Sequence, residues 1–107
     1  MTAQSTKNGV LTLEEAKTLL SSHQHVLAER FAVSSLSIFG SVARGEAGPD
    51  SDLDILVSYS TSPGLFGFLE LKEFLEKILA QPVDLVTDNA LKKQLRDRIL
   101  REAIRVH

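Results

Sequence analysis

Apolar residues recur along this chain with two spacings, one typical of helices and one typical of strands. In the first third they follow one another every three or four positions, behind a capping-box pair formed by Thr12 and Glu15. Similar stripes precede Gln81-Pro82 and begin again at Leu91, where the apolar residues fall four apart. The pattern predicts helices over three stretches: about Thr12 to Arg30, about Leu65 to Ala80, and from a cap at Asp88 or Asn89 towards Arg105.

Shorter stretches between these helices have the composition and the alternation of strands. In the middle one, Leu53, Ile55 and Val57 point to one face of the sheet and two aspartates point to the other. The predicted strands are Ser34–Phe39, Asp52–Ser58 and Val83–Val86, with a short helical turn at Val42–Glu46. The order of elements predicts an α/β fold in which helices pack against a small mixed three-stranded sheet.

The composition is that of a single globular domain. The chain has 107 residues, of which 43% are apolar and 24% are charged, and its net charge is −2. This slight acidity gives no support to a general nucleic-acid or membrane-surface binder. The absence of cysteine excludes disulfides and thiolate metal sites, and it fits the cytoplasm, where we expect the protein. The polar first stretch predicts a flexible leader over residues 1–11 and no signal peptide, followed by one domain over 12–107. No apolar stretch in the sequence has the length of a membrane-spanning helix, so no membrane span is expected.

Two aspartates on the middle strand indicate chemistry. Asp52 and Asp54 lie two residues apart, so their side chains leave the same face of the strand. Carboxylates so close repel each other, and a divalent cation removes the repulsion; Mg²⁺ is the usual choice where carboxylates share it with phosphates. Asp84 on a neighbouring strand would complete a site of the kind that stabilises both oxygens of a phosphoryl transfer. Taken alone, the same residues are also typical of a turn that opens a solvated strand.

A glycine-serine turn lies ten residues before these aspartates. Glycine lets the backbone approach a ligand closely, and amides that open a helical turn point at anions. Gly40 and Ser41 are therefore candidates for binding the terminal phosphates of a nucleotide, with the Ser41 hydroxyl as an additional donor. Arg44 offers positive charge to a phosphate or to one of the acids. Each of these residues alone is common in surface loops, so the prediction of a nucleotide site depends on their combination.

The stretch GSVARGEAGPDSDLDILV resembles the GSx10DxD signature of the DNA polymerase β-like nucleotidyltransferase superfamily. More narrowly, the chain resembles the minimal nucleotidyltransferase (MNT) antitoxins of HEPN/MNT toxin–antitoxin pairs over roughly Thr12 to Val106, with PVDLVT as a second matching stretch. It departs from the pattern at Gly48, where relatives often carry a basic residue. A phosphate or partner contact made there in relatives is therefore not expected here.

The resemblance implies a role for each candidate residue. It implies that Gly40 and Ser41 bind the nucleotide phosphates and that Asp52 and Asp54 hold Mg²⁺. Asp84 matches the third acid, which in the superfamily helps to bind metal or activates the acceptor hydroxyl.

The implied function is transfer of AMP from ATP to a tyrosine hydroxyl of a HEPN RNase toxin, which neutralises the toxin within a hetero-oligomer. Because few residues follow the predicted aspartate strand, we expect a macromolecular acceptor and not an enclosed acceptor pocket. ATP is the expected co-substrate, Mg²⁺ the expected cofactor, and no direct contact with nucleic acid is expected.

Two other functions stay open at this stage. The chain would neutralise a toxin by complex formation alone if the basic face of the last helix were a contact surface, although such a face is also typical of a solvated helix. Transfer of a nucleotide to a small molecule or an RNA end is the third possibility, which the lack of a second domain disfavours. Asparagine at positions 52 and 54 distinguishes catalysis from binding.

Overall fold

A computed structural model describes residues 11–48 and 51–107 of the chain. These ranges contain helices, strands and one 3₁₀ turn that alternate along the sequence. In chain order the elements are α1 (Leu13–Ser22), α2 (Gln24–Arg30), β1 (Val33–Phe39), α3 (Gly40–Arg44), β2 (Leu53–Tyr59), α4 (Gly64–Leu79), β3 (Val83–Thr87), the 3₁₀ turn (Asp88–Ala90), α5 (Lys93–Glu102) and β4 (Ile104–Arg105).

The predicted first helix is in fact two helices. Its capping box is confirmed: the Thr12 N–H donates to Glu15 Oε1 at 2.9 Å, and the Glu15 N–H donates to Thr12 Oγ1 at 3.1 Å. The helix breaks at His23, whose Nδ1 lies 2.8 Å from the Leu19 carbonyl oxygen that the helix end leaves free. Leu27 in α2 is buried in the same core as α1, so the apolar spacing continues across the break. For this reason the sequence pattern did not reveal that there are two helices.

The sheet has the strand order β3-β2-β1-β4, with β2 antiparallel to β1 and parallel to β3. The predicted α/β fold with a mixed sheet is confirmed, but the described residues form four strands and not three. The additional strand, β4, pairs antiparallel with β1 through Ser37 and Ile38. The last helix therefore ends at Glu102 and does not run to Arg105. A strand of two residues is too short to show the alternation of apolar and polar residues by which strands are predicted.

The last helix also begins later than predicted. Asp88 and Asn89 lie in the 3₁₀ turn, and α5 begins at Lys93 without a hydrogen bond from a capping side chain. The carboxylate of Asp88 instead accepts a hydrogen bond from the Ser58 hydroxyl at 2.9 Å. This bond fixes the end of β3 beside the end of β2.

The main core lies between the sheet and helices α1, α2 and α4. Its fully buried large side chains are Leu20, Leu27, Leu36, Ile38, Leu53, Ile55, Val57, Leu71 and Leu75. Leu11, placed in the predicted leader, is 4% exposed and packs in this core, so it belongs to the domain. Residues 1–10 of the predicted leader lie outside the described residues.

A second cluster holds α5 on the opposite face of the sheet, and it consists of Phe39, Leu56 and Ile99. This face also carries Asp54, because Leu56 and Asp54 are two residues apart on β2. In the ranges that the structure describes, no helix has the length and the apolar character needed to cross a membrane.

Candidate active site

The predicted acids meet at the N-terminal ends of β2 and β3. Asp54 and Asp84 are register partners in the parallel pair of these strands, so they stand side by side on one face of the sheet. Asp52 immediately precedes β2. Asp54 is half-buried, whereas Asp52 and Asp84 are exposed to solvent. The three carboxylates therefore border one open part of the sheet.

The site shifts the pKa of the Asp54 carboxyl group. Burial, followed by the negative charges of Asp84 and Asp52, raises the pKa of Asp54 to about 6. The positive charge of Arg44 opposes this rise but does not cancel it. An environment that disfavours the ionised form of a carboxylate favours the binding of a proton or of a cation.

The glycine-serine turn lies directly against these acids. Phe39, the last residue of β1, is the register partner of Asp54, and Gly40 follows with φ of +74°. A Cβ atom on Gly40 would fall onto Asp54 Oδ2 and lie 2.9 Å from Asp54 Cγ. Only glycine allows both this backbone conformation and this approach. Ser41 is the next residue, so the two predicted halves of the site are adjacent in the structure.

Arg44 forms ion pairs with two glutamates that the sequence did not single out. Its Nε donates to Glu46 Oε1 at 2.9 Å, and its Nη1 donates to the two carboxylate oxygens of Glu102 at 2.9 Å and 3.2 Å. The hydrogen bond to Glu46 and the contact with Glu102 raise the pKa of Arg44. Glu102 belongs to α5, so this pair connects the helix to the glycine-serine turn. The contact of Arg44 with a phosphate stays a prediction.

The donor set of the site suits Mg²⁺, which prefers carboxylate oxygens. No three acidic, histidine or cysteine side chains among residues 11–48 and 51–107 are arranged as a ready metal cluster. Mg²⁺ usually takes one or two carboxylates and completes its coordination with phosphates and water. Two carboxylates, such as those of Asp52 and Asp54, would therefore be a sufficient contribution from the protein, and Gly40 leaves room for the Asp54 carboxylate itself.

A cavity of about 410 Å³ lies at the other end of β2 and β3, where Ser58, Tyr59, Thr87 and Asp88 contribute to its wall. From Asp54 to Ser58 the strand advances about 13 Å. The cavity is thus separate from the acids, which lie on the surface of the sheet.

Comparison with known proteins identifies the family. A family model described as nucleotidyltransferase domain matches residues 20–107. The protein adenylyltransferase MntA of Thermococcus cleftensis is 46% identical over 97 residues, which are 91% of this chain and 98% of that protein. The chain belongs to the nucleotidyltransferase domain family.

Among solved structures, a minimal nucleotidyltransferase and toxin–antitoxin complexes are similar to this chain. A structure described as that of a minimal nucleotidyltransferase has a TM-score of 0.70 at 42% identity and covers 83% of this chain and 93% of that one. A toxin–antitoxin complex with AMP-PNP has a TM-score of 0.67 at 21% identity, covering 81% and 72% of the two chains. A tri-AMPylated Shewanella oneidensis HEPN toxin with its MNT antitoxin gives 0.61 at 19%, covering 85% and 71%. At these two low identities the likeness concerns the fold.

The predicted family and enzyme class are confirmed: the chain is a nucleotidyltransferase of the group that includes the protein adenylyltransferases. Sequence reasoning missed the glutamate partners of Arg44 in this nucleotidyltransferase. Glu46 had a local signal, because it lies two residues from Arg44. Glu102 had none, because 58 positions separate it from Arg44 and only the packing of α5 brings it near.

Proposed function

We propose that this nucleotidyltransferase is an antitoxin that transfers AMP from ATP to a tyrosine hydroxyl of a partner HEPN RNase and thereby neutralises it. The observation that carries the proposal is the direct approach of Gly40 to Asp54, with Asp84 beside Asp54 on the next strand. Support also comes from the relative named protein adenylyltransferase and from fold neighbours solved as toxin–antitoxin complexes.

The site residues divide metal binding, phosphate binding and proton transfer among them in this proposal. Asp52 and Asp54 hold Mg²⁺, and the backbone at Gly40 and the hydroxyl of Ser41 bind phosphate oxygens. Asp84 is the third acid, which contributes to the metal or accepts the proton of the acceptor hydroxyl. When bound, Mg²⁺ would neutralise the negative charge that phosphates and carboxylates bring together.

Arg44 turns to a phosphate oxygen when ATP is present. It lies three residues after Ser41 on α3, and its side chain is 47% exposed in its pairs with Glu46 and Glu102. Ion pairs at such exposure contribute little stability, so a triphosphate can replace the carboxylates at small cost. A triphosphate carries more negative charge than a carboxylate, so it is a stronger partner than Glu46 or Glu102 for the guanidinium group of Arg44.

The transfer forms one bond and breaks one. The tyrosine oxygen attacks the α-phosphorus of ATP, the bond between the α-phosphorus and the bridging oxygen breaks, and pyrophosphate leaves. The hydroxyl proton passes to a carboxylate, and Asp84 is the candidate because it is the register partner of Asp54 on β3. The attached AMP adds bulk and negative charge to a surface on which RNA must bind.

The test is the intact mass of the partner HEPN protein after incubation with this chain, ATP and Mg²⁺. We expect a gain of whole AMP units, which is lost when Asp52 and Asp54 are both replaced by asparagine. Asp88→Asn is the matched control, because it makes the same chemical change beyond the far end of β3. An unchanged mass in a stable complex would favour the alternative, an antitoxin that acts by binding alone.

A further inference from the structure

Positive charge is concentrated in the last part of the chain. Six of the twelve basic residues and two of the fourteen acidic residues lie between positions 92 and 105, so this stretch carries +4 and the remainder −6. In the part of the chain that the structure describes, none of the six forms an ion pair. All six are exposed: Lys92, Lys93, Arg96, Arg98, Arg101 and Arg105.

Helix α5, which carries four of these six basic residues, is attached to the sheet by few contacts. Of its ten residues only Ile99 is buried, and eight are exposed. Ile99 packs with Phe39 and Leu56, and Glu102 binds Arg44. Burial of one isoleucine accounts for about 1.5–3 kcal/mol. Most of the surface of α5 is therefore not required by the core and is available to another molecule.

The position of α5 places that surface beside the acid site. Ile99 packs in a cluster with Leu56 and Val86, which lie two residues beyond Asp54 and Asp84 on the same face of the sheet. Two residues along a strand span about 7 Å. A protein that brings a hydroxyl to these acids from solvent therefore has α5 within reach of its surface.

Each flank of α5 combines one exposed leucine with two basic residues. Side chains three or four positions apart share a face of a helix. The two groups are Lys93, Arg96 and Leu100 on one side of Ile99, and Leu95, Arg98 and Arg101 on the other. The apolar spacing that begins at Leu91 predicted Leu95 in the stripe of the last helix and Leu100 at its edge, but Leu95 is 47% exposed and Leu100 is 48% exposed.

This composition indicates a protein partner. Apolar centres with arginine at their rim are typical of protein interfaces. Surfaces that bind single-stranded nucleic acid stack the bases on aromatic side chains, and α5 contains none. The charge of the helix selects a partner surface that is acidic.

We infer that α5 is the docking surface for the acceptor protein, which presents an acidic surface with an apolar centre next to its modified hydroxyl. This inference rests on the proposed adenylyltransferase function. The basic residues accelerate association and orient the acceptor, because complementary charge acts before contact. The leucines hold the complex once it has formed.

The experiment measures binding of the full chain to its purified HEPN partner protein, by biolayer interferometry at low and high salt. Arg96→Glu and Arg98→Glu test the two flanks, with Leu100→Ser and Leu95→Ser as their apolar counterparts. Lys77→Glu is the matched control, because Lys77 is an exposed base on α4, across the sheet from α5. Circular dichroism and urea midpoints verify that each variant is folded.

We expect the charge reversal on at least one flank to slow association about tenfold at low salt, and less at high salt. The serine variant of the same flank is expected to accelerate dissociation about fivefold. Lys77→Glu should stay within about twofold of the wild type for both rates. Equal binding by all α5 variants, or no binding by the wild type, would overturn the inference.

Two further readouts separate this inference from the proposed function. The variant with asparagine at positions 52 and 54 should bind normally while it transfers no AMP. Binding that depends on α5 without any AMP transfer by the wild type would refute the proposed function alone. AMP transfer that no α5 substitution affects would refute the docking surface alone. If the substitutions weakened binding of a single-stranded RNA oligonucleotide and not of the HEPN protein, α5 would be a nucleic-acid surface and the inference would be wrong.

Discussion

Replacing Asp54 by asparagine should stabilise the protein while it abolishes catalysis. Asp54 stands on an interior strand of the sheet, where burial and the charges of Asp84 and Asp52 raise its pKa to about 6. Folding at neutral pH therefore holds an ionised carboxylate in a place that disfavours ionisation. Asparagine has nearly the same shape and no charge, so it removes this cost.

The magnitude follows from the pKa in the two states. The rise from 3.8 to about 6 corresponds to about 3 kcal/mol when the carboxyl is fully ionised. Asp54 is partly exposed, so solvent screening reduces the expected gain to about 1–2 kcal/mol. The folded state holds the proton more tightly than the unfolded state, so the stability of the wild type falls as pH rises from about 4 to about 6. The advantage of the variant is therefore small near pH 4 and largest above pH 7.

Urea unfolding in EDTA, followed by circular dichroism near pH 4 and at pH 7.5, measures this difference. At the higher pH we expect the variant to unfold at higher urea, with a melting temperature about 5–10 °C above that of the wild type. Asp88→Asn is the control; its amide oxygen can still accept the Ser58 hydroxyl, so the variant should be no more stable than the wild type and should lose at most about 1 kcal/mol. A variant no more stable than the wild type at pH 7.5 would refute the reasoning. Added Mg²⁺ should raise the stability of the wild type and leave that of the variant unchanged.

Three further substitutions test other contacts. Gly40→Ala should lower stability by about 1–3 kcal/mol and abolish AMP transfer, because the new Cβ meets the Asp54 carboxylate. Gly45→Ala is the control, since Gly45 has the same φ of +74° but open space around it; it should lose only about 1 kcal/mol and keep its activity. Thermal melting and an AMP-transfer assay measure the two effects. Glu76→Ala should lose about 1 kcal/mol near pH 7, because the carboxylate accepts the Val83 N–H at 2.9 Å. That bond lowers the pKa of Glu76 from 4.5, so the loss should fade as pH falls below this value, and an equal loss at pH 3.5 and pH 7 in urea would contradict it. Ile99→Ala should lose about 2 kcal/mol and accelerate amide hydrogen exchange in α5 and not in α4, whereas uniform exchange would show that α5 is not held by this side chain.

The main core was predictable because its elements bury complete stripes of apolar residues. Leu53, Ile55 and Val57 alternate as expected of one strand face, and all three are fully buried. Prediction failed where local side-chain contacts or a very short pairing lie at the boundary. At the end of α1 the side chains of Ser22 and His23 both contact the Leu19 carbonyl, and β4 is too short to show an alternating pattern.

The candidate site was predictable where its residues are close in sequence. Gly40, Ser41, Asp52 and Asp54 lie within one stretch, so their spacing alone carries information. The surroundings were not predictable, because they depend on packing between distant elements. The way in which α5 packs on the sheet determines which of its leucines remain exposed. Amphipathic spacing alone does not specify how deeply a helix is buried.

The measurement that decides whether the chain is an adenylyltransferase antitoxin is the intact mass of the HEPN partner after incubation with ATP and Mg²⁺. We expect a gain of whole AMP units with the wild type and with Asp88→Asn, and no gain when Asp52 and Asp54 are both asparagine. A gain that persists in that double variant, or an unchanged partner mass in a stable complex with the wild type, would contradict the proposed function.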